Sequence, residues 1–199
     1  KVLDGVEVKI AEDGEILCKG PNVMMGYYKD ETQTAEVLKD GYFHTGDIGE
    51  IDSDGFLKIT DRKKEMFKTS GGKYVAPQIL ENTFKQSRFI EQIMVIGDGE
   101  KMPGAFIQPN FEFVREWATR HNLNFNTNEE LCANKMVIDR IQEEINHSNE
   151  KFGNWEKVKR FELTPDVWSI VDGHLTPTMK LKRKIIKEKY NDLYQKIYG

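Results

Sequence analysis

The chain has 199 residues, of which 38% are hydrophobic, 31% charged and 11% aromatic. That composition is too apolar for a disordered segment, and the length suits one domain or one domain plus part of another. A net charge of −4 and a pI near 5.7 argue against a global pull toward nucleic acid or an acidic membrane surface, and no apolar run is long enough to span a bilayer.

The first elements read as β structure. The chain starts at Lys1, without Met and without the pattern of a signal peptide, and enters a strand at once, as a fragment would. Val6, Val8 and Ile10 alternate with polar residues, Glu12-Asp13-Gly14 supplies a turn, and Ile16-Leu17-Cys18 continues beyond it, which predicts a hairpin. Asp30, followed by Gln33, marks the start of a short helix expected to end near Asp40-Gly41. Glu50-Ile51-Asp52 and residues 56–59 flank Ser53-Asp54-Gly55, predicting a second hairpin.

The character changes after Asp61. Arg62, Lys63, Lys64 and Glu65 form a charged junction without Gly or Pro, followed by the Gly-rich loop Ser70-Gly71-Gly72-Lys73. Pro77 suits a first helical turn. Residues 93–96 and 105–107 read as strands around a Gly-Asp-Gly turn region. Asn110 caps a helix carrying Val114, Trp117 and Ala118. Thr127 and Glu130 form a capping box, with Leu131, Ile138, Ile141 and Ile145 on one helical face and Gly153 as the stop. Val158, Phe161 and Leu163 suggest a strand. Ile186, Tyr190, Leu193 and Ile197 predict one last helix. Strands mixed with helices make this second part α+β. Cys18 and Cys132 lack metal-site spacing and read as small buried residues in a reducing, cytoplasmic setting.

Three places could carry chemistry. In Gly41-Tyr-Phe-His-Thr-Gly-Asp47, a carboxylate in a Gly-flanked turn can accept hydrogen bonds from vicinal hydroxyls such as those of a ribose. Alone, an Asp there is more often a turn residue, and His44 more often a packed or capping histidine. In residues 61–73, Arg62, Lys64, Lys68 and Lys73 around two glycines can bring cations and N–H groups to an anion; an exposed interdomain loop is the plainer alternative. In Leu175-Thr-Pro-Thr-Met-Lys180, a lysine before a helix can stabilise charge developing on a phosphate. The surrounding run of Lys180, Lys182, Arg183, Lys184, Lys187 and Lys189 is otherwise a solvated helix face.

In this order the motifs resemble the AMP-forming acyl-CoA ligases. Asp61-Arg-Lys-Lys-Glu-Met-Phe-Lys-Thr-Ser-Gly-Gly-Lys-Tyr-Val-Ala-Pro77, Leu175-Thr-Pro-Thr-Met-Lys-Leu-Lys-Arg183 and Gly20-Pro-Asn-Val-Met-Met-Gly-Tyr-Tyr28 look like the long-chain fatty-acid branch. The resemblance implies that residues 1–61 are the β-rich end of a large domain and that residues 62–199 are a mobile α+β lid with a central mixed sheet and flanking helices. It implies a fatty acid, ATP (with Mg²⁺, not held by these residues) and CoA as substrates. Asp47 and Arg62 would hold the nucleotide, with Lys68 and Lys73 as further contacts to the nucleotide or to the reoriented domain interface. Lys64 would be the hinge, Lys180 the adenylation lysine, and Gly71 and Gly72 the loop used in the thioester step. Many relatives carry Ser-Gly where Thr178-Met179 stand, which leaves Lys182 as the alternative to Lys180. The implied partner is the N-terminal part of the same protein, with no nucleic acid and with room for a peripheral membrane contact. The alternatives are a fatty-acyl-AMP ligase that loads a carrier protein and a non-catalytic interaction module.

Overall fold

A computed structural model describes residues 1–199, which divide into two compact units, Lys1–Met66 and Phe67–Gly199. Residues 62–66, assigned to the second domain from the sequence, thus belong to the first unit. The reason is local: Arg62 is the last residue of a strand, and the N–H groups of Glu65 and Met66 fold back onto the Arg62 carbonyl at 2.9 and 3.2 Å.

The first unit comprises β1 (Glu7–Ile10), β2 (Glu15–Lys19), α1 (Glu31–Val37), β3 (Leu38–Lys39), β4 (Tyr42–Ile51) and β5 (Leu57–Arg62). Asp30 caps α1 by accepting from the Gln33 N–H at 2.9 Å. That helix stops at Val37, short of the expected Asp40-Gly41, because Leu38 turns extended and pairs with Phe43. β4 is the organising strand, pairing antiparallel with β2, β3 and β5. Asp47, expected in a turn, lies inside this ten-residue strand. Gly46 and Gly49 disguise the strand in the sequence. At Gly49 any side chain would collide with the Lys58 carbonyl at 2.5 Å and Ile16 Cδ1 at 2.7 Å.

The second unit opens with the hairpin β6 (Phe67–Lys68) and β7 (Tyr74–Val75), then α2 (Pro77–Phe84), β8 (Ile90–Ile96), β9 (Gly104–Pro109), α3 (Phe111–Arg120), α4 (Asn128–Ala133), α5 (Lys135–Asn149), β10 (Arg160–Leu163), α6 (Arg183–Lys189) and α7 (Asn191–Tyr198). Its three-stranded sheet is mixed: β9 sits between antiparallel β8 and parallel β10. Strand alternation divides the apolar side chains between two faces. Ile93, Val95, Ala105 and Ile107 join Leu80, Phe84, Val114 and Ile141 in one core. Met94, Ile96 and Phe106 join Ile186, Tyr190, Leu193 and Ile197 in the other.

Two expected helices are each broken in two. The first stops at Ala133 and restarts at Lys135, because the Asn134 side chain accepts from the N–H groups of Met136 and Val137 and caps α5. That second piece ends at Asn149, before Gly153. The last helix breaks at Tyr190, whose φ of −103° and ψ of 35° separate α6 from α7, while the apolar stripe continues across the break. Both cysteines are half-buried rather than buried; burial pushes the Cys132 thiol up to about 12. No helix is long and apolar enough to cross a membrane.

Candidate functional site

Asp47 and Arg62 face each other across β4 and β5, and the guanidinium Nη1 lies 2.9 Å from Asp47 Oδ1. What places Asp47 is a bulge: β2 residues 15 and 17 pair with β4 residues 48 and 44, so three residues of β4 oppose one of β2. Gly46, at φ +71°, takes the left-handed conformation the bulge requires. Thr45 Oγ1 donates to the Ile16 carbonyl at 2.7 Å and accepts from the Asp47 N–H at 3.1 Å. The Asp47 carboxylate is 27% exposed. It lies on the edge of an apolar groove with Val8, Leu57 and Ile59.

Sequence reasoning missed the group beneath this bulge. Glu15, only 4% exposed, accepts from the Gly46 N–H at 2.9 Å and from Lys63 Nζ at 2.8 Å, and lies 3.1 Å from His44 Nδ1. Burial opposes its charge, but the hydrogen bonds from Lys63, His44 and Gly46 outweigh burial and hold the carboxyl below its ordinary range. Lys63 also pairs with Asp13 at 2.6 Å; the bond to Asp13, then that to Glu15, raises the ammonium. A Glu at the start of an apolar strand carries no local signal, because its three partners lie 29, 31 and 48 residues away. His44 is thus a packed residue, as expected. The neighbouring Lys64 is exposed, in the turn formed by residues 63–65.

The Gly-rich loop is the tip of the β6–β7 hairpin. Thr69, buried at its base, closes the loop through its N–H to the Lys73 carbonyl at 2.9 Å. The loop is docked where the Ser70 N–H donates to the Glu100 carbonyl at 2.8 Å. Gly72 has φ +80°, so the turn needs glycine there, whereas a Cβ on Gly71 would meet only Thr69 Oγ1 at 3.9 Å. Lys68 and Lys73 rest over the rings of Tyr74 and Trp155, at 5.5 and 5.6 Å.

Lys180 follows a tight turn at residues 176–179. The Met179 N–H donates to the Thr176 carbonyl at 2.8 Å, and the Thr176 N–H to the Lys180 carbonyl at 2.8 Å. Thr176 Oγ1 accepts from the Lys180 N–H at 3.1 Å. Met179 sits at φ +61°, an unusual conformation for a side-chain-bearing residue. Lys180 is exposed, while Lys182 is half-buried at the N-cap position of α6 and its N–H donates to the His174 carbonyl at 2.9 Å. The basic run is not a uniform solvated face. Arg183 Nη2 reaches both oxygens of buried Glu81 at 2.8 and 2.7 Å, and Lys189 pairs with Asp166 at 3.1 Å. No group of three or more His, Cys, Asp or Glu could hold a metal ion.

Residues 65–199 match the family described as the AMP-binding enzyme C-terminal domain. This chain belongs to that family. Over all 200 aligned residues it is 37% identical to the long-chain-fatty-acid–CoA ligase FadD15 of Mycobacterium tuberculosis, and over 191 residues, 94% of the chain, it is 41% identical to human long-chain-fatty-acid–CoA ligase 1. The chain spans 33% and 27% of the length of those relatives. The fold is that of the adenylation domain of a carboxylic acid reductase from Segniliparus rugosus, solved with AMP and a carboxylic acid: the TM-score is 0.75 at 22% identity, covering 96% of this chain and 30% of that one. The o-succinylbenzoate CoA synthetase of Bacillus subtilis, solved with AMP, shares the fold with a TM-score of 0.65 at 22% identity, over 94% of this chain and 34% of that one.

Proposed function

We propose that this chain is the C-terminal third of a long-chain fatty-acid–CoA ligase and that it does not complete the reaction alone. The observation that carries the reading is the 37–41% identity to named long-chain ligases across 94–100% of the chain. In the first half-reaction the fatty-acid carboxylate attacks the α-phosphorus of ATP, forming the acyl–phosphate bond and expelling pyrophosphate. In the second, the CoA thiol attacks the acyl carbon, forming the thioester and releasing AMP.

The geometry supports a role for each named residue. Asp47, fixed on its bulge with one oxygen on Arg62, is suited to accept from the ribose hydroxyls, and Arg62 to support the same nucleotide. Lys180, exposed after a turn closed by three hydrogen bonds, is suited to neutralise charge in the phosphoryl transition state; half-buried Lys182 is less so. Gly71, which the hairpin itself does not require, leaves backbone open for the thiol arm, and Gly72 shapes the turn beside it. Lys68 and Lys73 flank that loop as further nucleotide contacts. Lys64, in the turn that ends the first unit, is the hinge that reorients the lid between half-reactions. Mg²⁺ enters with ATP and is assigned to no side chain here. The N-terminal part of the same protein is the partner that covers the first unit's exposed Leu3, Phe56 and Ile59. Two free thiols accord with a cytoplasmic setting.

The test is to supply the full-length protein with a long-chain fatty acid, ATP and, side by side, CoA and acyl carrier protein. Acyl-CoA with stoichiometric AMP and pyrophosphate is expected. Transfer to carrier protein alone would convert the reading to an acyl-AMP ligase, and failure to consume ATP would refute it.

A further inference from the structure

Glu15 closes a ring around the Gly46 peptide. Its Oε1 takes the Gly46 N–H at 2.9 Å. The Gly46 carbonyl takes the Lys63 N–H at 2.8 Å, and Lys63 Nζ returns to Glu15 Oε2 at 2.8 Å. The bulge would otherwise leave the Gly46 N–H without a ladder partner, a costly state for a half-buried backbone donor. The ring therefore sets the orientation of the peptide just before Asp47 and holds the residue just before Lys64.

Resting on the nucleotide-binding reading above, we propose that Glu15 is a positioning residue for the ribose contact: it acts through the Gly46 peptide to aim the Asp47 carboxylate, and through Lys63 to pin the start of the hinge. Three features favour this over a purely structural carboxylate. Glu15 is buried in a unit with little other core, so its energy goes into local geometry. Its partners are residues 44, 46 and 63, beside Asp47 and the hinge, rather than spread through the sheet. A Gln of the same shape can still accept from the Gly46 N–H but loses the charge that holds Lys63.

The test measures binding of AMP and of 2′,3′-dideoxy-AMP to the full-length protein, well below its thermal midpoint, in the wild type, Glu15→Gln, Lys63→Met, Asp47→Ala and the Glu15→Gln/Asp47→Ala double variant. Glu15→Gln should weaken AMP by about tenfold and Lys63→Met by about threefold, each leaving the dideoxy analogue within about twofold. The double variant should bind AMP no worse than Asp47→Ala, because the two residues share one contact. Equal losses for AMP and the dideoxy analogue, multiplicative losses in the double variant, or wild-type AMP affinity in Glu15→Gln would each overturn the proposal. A wild type that binds AMP but forms no acyl-CoA would sink the ligase reading and leave this one standing. A ligase whose Glu15→Gln variant binds AMP normally would do the reverse.

Discussion

The two units solve the problem of a small fold in opposite ways. The second builds two apolar cores, one on each face of its sheet, from Phe84, Ile107 and Ile141 on one side and Phe106, Ile186 and Ile197 on the other. The first has only Ile16 and Leu17 as buried hydrophobics, beside buried Glu15 and Asp61, and leaves Leu3, Phe56 and Ile59 in solvent. Burial of apolar surface is the main favourable term in folding. The second unit buries a great deal of it, and the first very little. The difference teaches that the first unit is braced mainly by polar groups, whereas the second is built around apolar cores of its own.

The largest effect should come from cutting between Met66 and Phe67. Residues 67–199 should unfold in one cooperative transition, whereas residues 1–66 should show none by circular dichroism on heating. A cooperative transition in the shorter piece would break the comparison. Next, Phe106→Ala in the full 199-residue chain should cost about 3–5 kcal/mol in urea titration, since Phe106 is fully buried against Tyr190.

The first unit should answer to pH more than to cavity formation. In the full-length protein Glu15→Gln should cost about 1–3 kcal/mol at neutral pH. The Glu15 carboxyl is held below its ordinary 4.5, so its contribution is fully present above that value and is lost as pH falls through the native one. The gap between wild type and Glu15→Gln should therefore narrow in acid. A gap independent of pH would show that the hydrogen bonds do not depend on the charge. The smallest effect should be at Met179, held at φ +61°. Met179→Gly should stabilise the chain by roughly 0.5–1 kcal/mol or leave it unchanged, and a loss of stability would mean that the turn is not strained.

Much of this was legible in the sequence because it rests on local chemistry. The Asp30, Asn110 and Thr127 caps, the Pro77 helix start and the two hairpins in the first unit all involve partners within a few residues. Residues 93–96 and 105–107 were legible as strands, but not the division of their side chains between two cores, because both runs are apolar throughout. What escaped depends on distant partners. β4 contains two glycines and is held by three neighbouring strands, so Asp47 looked like a turn residue. The break at Tyr190 leaves the apolar periodicity intact and so leaves no trace in it. Glu15, whose ligands come from residues 44, 46 and 63, could not be found from its neighbours. The candidate site residues stand out only through the order of their motifs, since none is distinctive alone.

The central claim, that the second unit carries the adenylation lysine while the first carries the nucleotide anchor, is tested most directly by Lys180→Ala in the full-length protein. Acyl-AMP formation should fall by on the order of 10²–10³-fold, while thioester formation from supplied acyl-AMP stays within about threefold of wild type. Equal losses in both half-reactions, or a loss that appears only in Lys182→Ala, would contradict it.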